Sequence, residues 1–353
     1  METLKLKTGN FILLLTILGV SLAVVEYAGL VENRGALLLT LAFWSCLIQG
    51  SIAAAAATET IQGKWIGTLR RELLSVYPLL LFLALAFLLF WPRTAIYPWH
   101  GHPNFWLNST FFMLRNFIVL LAVFISARLY ALRSLRGDPS RVKYAIIYLS
   151  VFTLSQFLIA FDWIMTLEYP WFSSLFGFYF LVEAMFAGLA LATLNLFFQY
   201  RFKFQQDPAT TNRHQEDLGR LMLGFSVLWG GFFFAQFLLI WYGNIPEEAN
   251  YIAKRIVDPY TGLSYVFVVL TFLVPFLVLI PRWCKRNIFV LSLVAASVLT
   301  GLFLEKVLFI MPDVKLHLGI VVLEIFLVLP VWLLTIHSRN FLLPRPKPPL
   351  SEK

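Results

Sequence analysis

The chain has 353 residues, of which 59% are hydrophobic and 13% charged, and its formal net charge is +9. An ordinary soluble domain is about 25% charged, and a water-soluble chain this apolar could not cover its own surface. Composition therefore excludes a soluble enzyme or binding module and points to a lipid bilayer as the solvent.

Within lipid every backbone N–H and C=O must be satisfied internally, which leaves helices or a closed barrel. Barrel strands alternate polarity over ~10 residues. The apolar runs here are near-continuous and about 20 residues long, the length a helix needs to cross ~30 Å of hydrocarbon. The predicted fold is all-α and polytopic, with about ten transmembrane helices near 11–30, 35–57, 73–92, 108–131, 143–167, 172–199, 218–243, 261–280, 287–310 and 316–337. The first run follows Lys5 and Lys7. It is too long for a signal-peptide core and lacks a small-x-small cleavage site, so it reads as an uncleaved anchor. Pro78, Pro275 and Pro330 fall inside spans and are expected to kink them. Sizeable hydrophilic stretches occur only near 93–107, 201–217 and 244–260, so 1–340 reads as a single transmembrane domain, followed by a Pro/Lys tail over 341–353.

Twenty of the 28 Lys and Arg residues lie at the amino end, in the even-numbered loops and at the carboxyl end. Six lie in the odd-numbered loops or at their edges: Arg34, Arg93, Lys254, Arg255, Lys306 and Lys315. Arg115 and Arg128 fall within the fourth span. By the positive-inside rule both termini are cytoplasmic. The same bias accounts for the net charge without invoking nucleic acid. Trp91, Trp99, Trp106, Trp163, Trp171 and Trp241 all fall at the outer boundary, where amphipathic rings are favoured.

Ionisable groups inside a membrane are costly and are functional hypotheses by default. Asp162, Ser155 and Tyr148 follow one another at heptad spacing along the fifth span and share a face. Such a stripe serves equally as a water file or as glue between helices. Arg115 lies at a similar depth in the fourth span, so an Arg115–Asp162 salt bridge is the structural alternative. Glu183 falls near the midplane of the sixth span, with Tyr179 one turn away and no basic residue on its own helix. A neutral, protonated Glu183 is expected there. Glu324 is similarly deep in the tenth span, with His317 one heptad above it. Glu305 and Lys306 close the ninth span and are expected to snorkel to water. The proton-path or quinone-adjacent candidates are thus Asp162, Glu183, Glu324, His317, Ser155 and Tyr148. Asn244, Pro246, Glu247 and Glu248 form an outer-loop candidate for partner docking.

No metal site is expected in this chain. Cys46 and Cys284 are far apart and lack companion ligands. His100, His102, His214, His317 and His337 lie in loops or at opposite ends of one helix, so two of them cannot face each other across a haem.

Four segments carry a resemblance: WLNSTFFMLRN (106–116), FDWIMTLEYPWFSSLFGFYF (161–180), DLGRLMLGFSVLW (217–229) and FAQFLLIWYGNIPEEANYIAKR (234–255). Together they resemble the ActF-type, NrfD-like membrane subunits of Alternative Complex III, a bacterial quinol:cytochrome c or quinol:oxidase oxidoreductase. The resemblance is strong over about 100–255 and extends to the whole chain in span count. One departure is clear. Family members read L-E-P-H-W-F-S-T where this chain has Leu167-Glu168-Tyr169-Pro170-Trp171-Phe172-Ser173-Ser174, without the histidine and with the proline displaced.

The resemblance implies paired four-helix bundles and a subunit of the bacterial inner membrane. It implies partners that carry the redox centres: a paralogous NrfD-like subunit, a periplasmic iron–sulfur subunit and a multihaem cytochrome. The one ligand it brings to the chain itself is a quinone such as menaquinone, with proton conduction or scaffolding as the other roles. A proton-coupled secondary transporter is the second reading, since buried carboxylates in ten spans also fit one. The three span prolines do not pair between two halves as broken transporter helices do. A structural anchor, in which Glu183 and Glu324 tolerate Gln, is the third.

Overall fold

A computed structural model describes residues 8–28, 34–63, 65–202 and 208–337. The tail 341–353 and the cationic positions Lys5, Lys7, Lys64, Lys203 and Arg339 lie outside these. Among the described residues there is no strand, and ten helical stretches are long and apolar enough to cross a membrane. The protein is a polytopic, all-α integral membrane protein.

The helices are α1 (Thr8–Tyr27), α2 (Ala36–Thr60), α3 (Arg70–Ser75), α4 (Pro78–Phe87), α5 (Ser109–Arg136), α6 (Arg141–Leu158), α7 (Leu175–Phe202) and α8 (Pro208–Gly243). They continue with α9 (Pro246–Ile256), α10 (Thr261–Val268), α11 (Val274–Val278), α12 (Arg282–Arg286), α13 (Ile288–Ile310) and α14 (Leu318–His337). Local chemistry sets many of the boundaries. Asn108 caps α5 by accepting from Phe111 N at 2.9 Å, and Gly137 closes it in the left-handed region at φ 68°. Asn287 caps α13 through Phe289 N at 3.0 Å. Pro78 and Pro246 open α4 and α9, where a missing N–H costs nothing. Pro78 thus breaks the third span in two, Pro275 follows a π-helical segment in the eighth, and Pro330 lies inside α14.

The spans arrange themselves as two four-helix rings. In the first, α2, α4, α5 and α6 each pack on the next and α6 returns to α2. In the second, α7, α8, the α10–α11 span and α13 close in the same way. This is the paired arrangement expected above. Helices α1 and α14 pack on each other and on the first ring. The rings join where α2 crosses α7, and the crossing is as close as backbones allow. A Cβ on Gly50 would lie 1.8 Å from the Ala184 carbonyl oxygen, and one on Gly188 would lie 2.1 Å from the Gly50 oxygen. Such small-residue contacts replace the hydrophobic driving force that lipid removes. Helix α2 is buried along almost its entire length.

Connections collect at two ends. One, the basic end, gathers Arg70 and Arg141 around Glu59, and Arg282 and Arg286 around Glu216. The other, the loop-rich end, brings Arg34 N to Lys315 O at 3.0 Å, Tyr97 OH to Trp163 O at 2.9 Å, and Lys254 to both Glu168 and Asp313. The six cations expected there include Arg93 on Glu26 and Lys306 on Glu183, so this end is largely neutralised from within. Three of the tryptophans read as an interfacial belt are instead core. Trp99, Trp163 and Trp171 are buried, because the chain after α4 and after α6 folds back over the bundle; Trp91, Trp106 and Trp241 are exposed.

Candidate functional site: a buried carboxyl pair in the second ring

Tyr179, Phe180 and Glu183 occupy one face of α7, and Glu305, Lys306 and Phe309 face them from α13. The Tyr179 hydroxyl donates to Glu305 Oε1. Lys306 Nζ lies 2.5 Å from Glu183 Oε2 and 3.5 Å from the centroid of the Phe180 ring. The two carboxyls interact directly with each other. Glu183 and Glu305 have no exposed surface and Lys306 has 1%. Glu183 Oε1 and Glu305 Oε2 find no hydrogen-bond donor. The set therefore holds two carboxyls, one ammonium and one phenol in a buried interior, close to the α2–α7 crossing.

This geometry corrects two expectations. Glu305 and Lys306 do not reach water, because α9 and the turn after it cover the end of α13: Arg255 Nη2 donates to Phe309 O at 3.2 Å and Tyr260 OH to Met311 O at 3.3 Å. Glu183 does not stand alone either, since its cation comes from a helix 123 residues away.

Toward the loop-rich end the site continues through Tyr251 of α9, which is stacked on Trp171 at 3.8 Å between centroids. Arg255 lies over the Tyr251 ring at 3.8 Å. Arg255 and Lys254 bridge Glu168 and Asp313 at 2.9–3.3 Å. Burial and the neighbouring Glu168 push the Asp313 carboxyl up to about 6, against the pull of Arg255. Burial likewise raises Tyr251, which stays a neutral phenol. A cavity of about 570 Å³ lies beside this chain of groups, with Tyr179, Tyr251 and Arg255 on its wall.

The other sequence candidates lie elsewhere. Arg115 and Asp162 are brought together in the first ring, Nε to Oδ2 at 2.6 Å. Asn116 Nδ2 donates to the same oxygen at 2.8 Å, and Trp163 Nε1 to Asn116 Oδ1 at 2.9 Å. Asp162 and Trp163 both face inward because they sit in a π-helical turn, Ile159–Ile164, that adds a residue to the helical repeat. The Tyr148 hydroxyl donates to Gln49 O at 2.8 Å; Ser155 is buried without a hydrogen-bond partner for its Oγ. Glu324 accepts from Thr40 at 2.7 Å and interacts with Glu26, which carries Arg93 at 2.7 Å. His317 is exposed ahead of α14 and so at a different depth from the fully buried Glu324. Asn244 and Pro246 are exposed, Glu248 is half-buried, and the side chain of Glu247 lies outside the described residues. Sequence reasoning missed Glu59, which at the basic end accepts from Tyr130 at 2.8 Å and Ser134 at 2.6 Å. It also missed Glu26, the partner of Glu324.

Among the described residues no three His, Cys, Asp or Glu side chains converge as metal ligands do. Neither a family model nor a curated protein matches the chain.

Proposed function

We propose that this chain is a proton-handling membrane subunit of a quinol-oxidising redox assembly of the Alternative Complex III type. The observation that carries the reading is the Tyr179–Glu305–Glu183–Lys306 set. Fully ionised, it leaves one negative charge uncompensated in hydrocarbon, a cost of several kcal/mol per unpaired ion. One bound proton neutralises it. A buried set whose charge is balanced by a single exchangeable proton is the chemistry a relay needs. Tyr179 gives it a contact with the cavity, and Tyr251 leads on toward the ionic cluster of Glu168, Asp313, Lys254 and Arg255.

The segments that carry the resemblance supply Tyr179 and the groups beyond it toward the loop-rich end, whereas Glu183, Glu305 and Lys306 lie outside them. Residues 161–180 supply Glu168, Trp171 and Tyr179, and 234–255 supply Tyr251, Lys254 and Arg255. In this reading electrons pass through haem and iron–sulfur partners. The basic end faces the cytoplasm of a bacterial inner membrane, in line with the positive-inside rule, and both termini lie on that side. The loop-rich end faces the periplasm. There the Asn244–Pro246 turn, with exposed Trp241, Tyr242 and Ile245 beside it, meets a periplasmic subunit. A paralogous NrfD-like subunit is the neighbour within the membrane.

The test is Glu305→Gln and Glu183→Gln, each in the intact assembly. Quinol-driven proton release falls while subunit composition and haem content stay at wild-type levels. Unchanged proton release in both variants refutes the reading.

A further inference from the structure

At the basic end Glu216 of α8 holds three guanidiniums at once. Arg282 Nε and Arg286 Nε lie 2.8 and 2.9 Å from its two oxygens, and Arg220 Nη2 lies 2.5 Å away. Glu216 and Arg220 are one turn apart on α8, as Arg282 and Arg286 are on α12, so each pair shares a face. The buried Lys285 fixes α12 between them, its Nζ donating to Leu279 O at 2.6 Å and to Ile280 O at 3.2 Å. One carboxylate does not balance three cations. Arg213, exposed one heptad ahead of Arg220, adds a fourth, and Asp217 supplies a second carboxylate, so two positive charges are left over. Glu216 takes the Nε edge of Arg286, and among the described residues neither Nη of Arg286 meets a carboxylate. The side chains of Arg220, Arg282 and Arg286 stay 48–66% exposed.

The cluster stands where a lipid-facing surface ends. Arg213, Arg220, Gly224, Val227 and Gly231 recur at seven-, four- and three-residue steps along the exposed face of α8. Beside it α11 and α12 pack on α8, and their stretch of chain exposes Leu277, Ile280 and Trp283. An exposed tryptophan among arginines at the edge of an apolar surface marks the headgroup level of a bilayer.

We infer that this corner between α8 and α12 binds the head of an anionic phospholipid, whose phosphate oxygens accept from Arg220, Arg282 and Arg286 while its acyl chains lie along α8 and α11. Guanidinium forks match phosphate oxygens in pairs, and basic pockets between spanning helices take such heads. The two surplus charges match a diphosphatidylglycerol, which carries two phosphates and no ammonium. Glu216 is a positioning residue here: it keeps mutually repelling guanidiniums together and leaves their outer edges to the lipid. The inference does not depend on the proton relay, which lies in the buried part of the same ring.

The experiment titrates the delipidated full-length chain in detergent with tetraoleoyl diphosphatidylglycerol or with phosphatidylcholine and follows bound lipid by native mass spectrometry. The diphosphatidylglycerol binds roughly 100-fold more tightly, the worth of two charged contacts. Arg286→Gln leaves Glu216 paired with Arg282 and Arg220, so the lipid-free melting temperature is unchanged while affinity falls roughly tenfold. Arg70→Gln, at the separate Glu59 cluster, keeps the wild-type affinity. Glu216→Gln distinguishes a built site from diffuse attraction. It raises the surplus positive charge, which alone would tighten binding, whereas loss of the organising carboxylate weakens it. Equal affinity for phosphatidylcholine, unchanged affinity in Arg286→Gln, or tighter binding by Glu216→Gln overturns the site. Neither millimolar inorganic phosphate nor a hexaglutamate peptide displaces the lipid. Displacement by the first would make the cluster a free-anion site, displacement by the second a contact for an acidic protein segment, and either overturns the lipid assignment.

Discussion

The two four-helix rings have the same architecture, and each buries an acid from one helix against a base from another. In the first ring the pair is Arg115 with Asp162; in the second it is Lys306 with Glu183. The difference lies in charge parity. Asp162 meets one guanidinium and one amide, and Asn116 passes the hydrogen bonding on to Trp163, in a region filled by stacked rings such as Phe87 on Trp163 at 4.9 Å. In the second ring two neighbouring carboxyls stand against one ammonium, which pairs with Glu183 alone, two of their oxygens have no donor, and a cavity adjoins. A buried charge alone does not mark a functional site in a membrane protein. A buried charge that does not balance and adjoins a cavity is the candidate to test, since Glu26 and Glu324 also hold two carboxyls against one cation, Arg93.

The strongest way to break the comparison is to separate the rings. Gly50→Leu or Gly188→Leu places a side chain into backbone atoms at the α2–α7 crossing, where no rotamer relieves the clash. Folded, monodisperse protein is lost altogether on size-exclusion chromatography. Gly231→Ala is the control, because a Cβ there meets nothing within 4 Å. Recovery of folded Gly50→Leu protein would mean that the rings do not depend on this contact.

The next test opposes the two ion pairs directly. Arg115→Met strands Asp162 and is expected to destabilise by about 3–5 kcal/mol, with most of that regained in Arg115→Met/Asp162→Asn. Proton release per folded assembly stays unchanged in the double variant. Glu305→Gln behaves in the opposite sense. It leaves the Lys306–Glu183 pair intact, shifts stability by about 1 kcal/mol or less, and lowers proton release roughly 100-fold, the usual contribution of a positioned proton carrier. Thermal unfolding and proton release measured on both variants decide the matter. A Glu305→Gln protein that unfolds like Arg115→Met and releases protons normally would make the second ring as structural as the first.

Much of this was legible in the sequence, for reasons that also explain what was not. Long apolar runs and alternating Lys/Arg density are properties of single segments, so the ten spans and the basic end could be read directly. The caps at Asn108 and Asn287 fall where the spans were drawn to begin. Depth was harder. Glu305 stands five residues from the end of α13, and distance along the helix placed it at water; only the folded position of α9 shows that this end is covered. The same error put Trp99, Trp163 and Trp171 in an interfacial belt. The partnership of Lys306 with Glu183 spans 123 residues and leaves no local signal. The π-helical turn at Asp162 shifts the register that a 3.6-residue repeat assumes.

The smallest expected effect concerns how each ring is closed at the loop-rich end. The first is sealed by stacked rings, Tyr97 on Trp99 at 5.0 Å, whereas the second is sealed by an ionic cluster that titrates. Asp313 faces Glu168 from the fifth span and Lys254 and Arg255 from α9. Burial pulls the Lys254 ammonium down, but Glu168 and Asp313 outweigh it and hold it above its ordinary value, so it stays charged. The Asp313 carboxyl is raised from 3.8 to about 6. The folded protein thus binds this proton more tightly than the unfolded chain. The stability it contributes is fully present below about pH 4 and is lost as pH rises through 6. The loss is at most about 1 kcal/mol, because water reaches Lys254 and screens the cluster. Asp313→Asn flattens the melting temperature between pH 5 and 7.5, while the double variant in the first ring keeps the wild-type slope. Equal slopes in wild type and Asp313→Asn would assign the titration to another group and leave the two closures electrostatically alike.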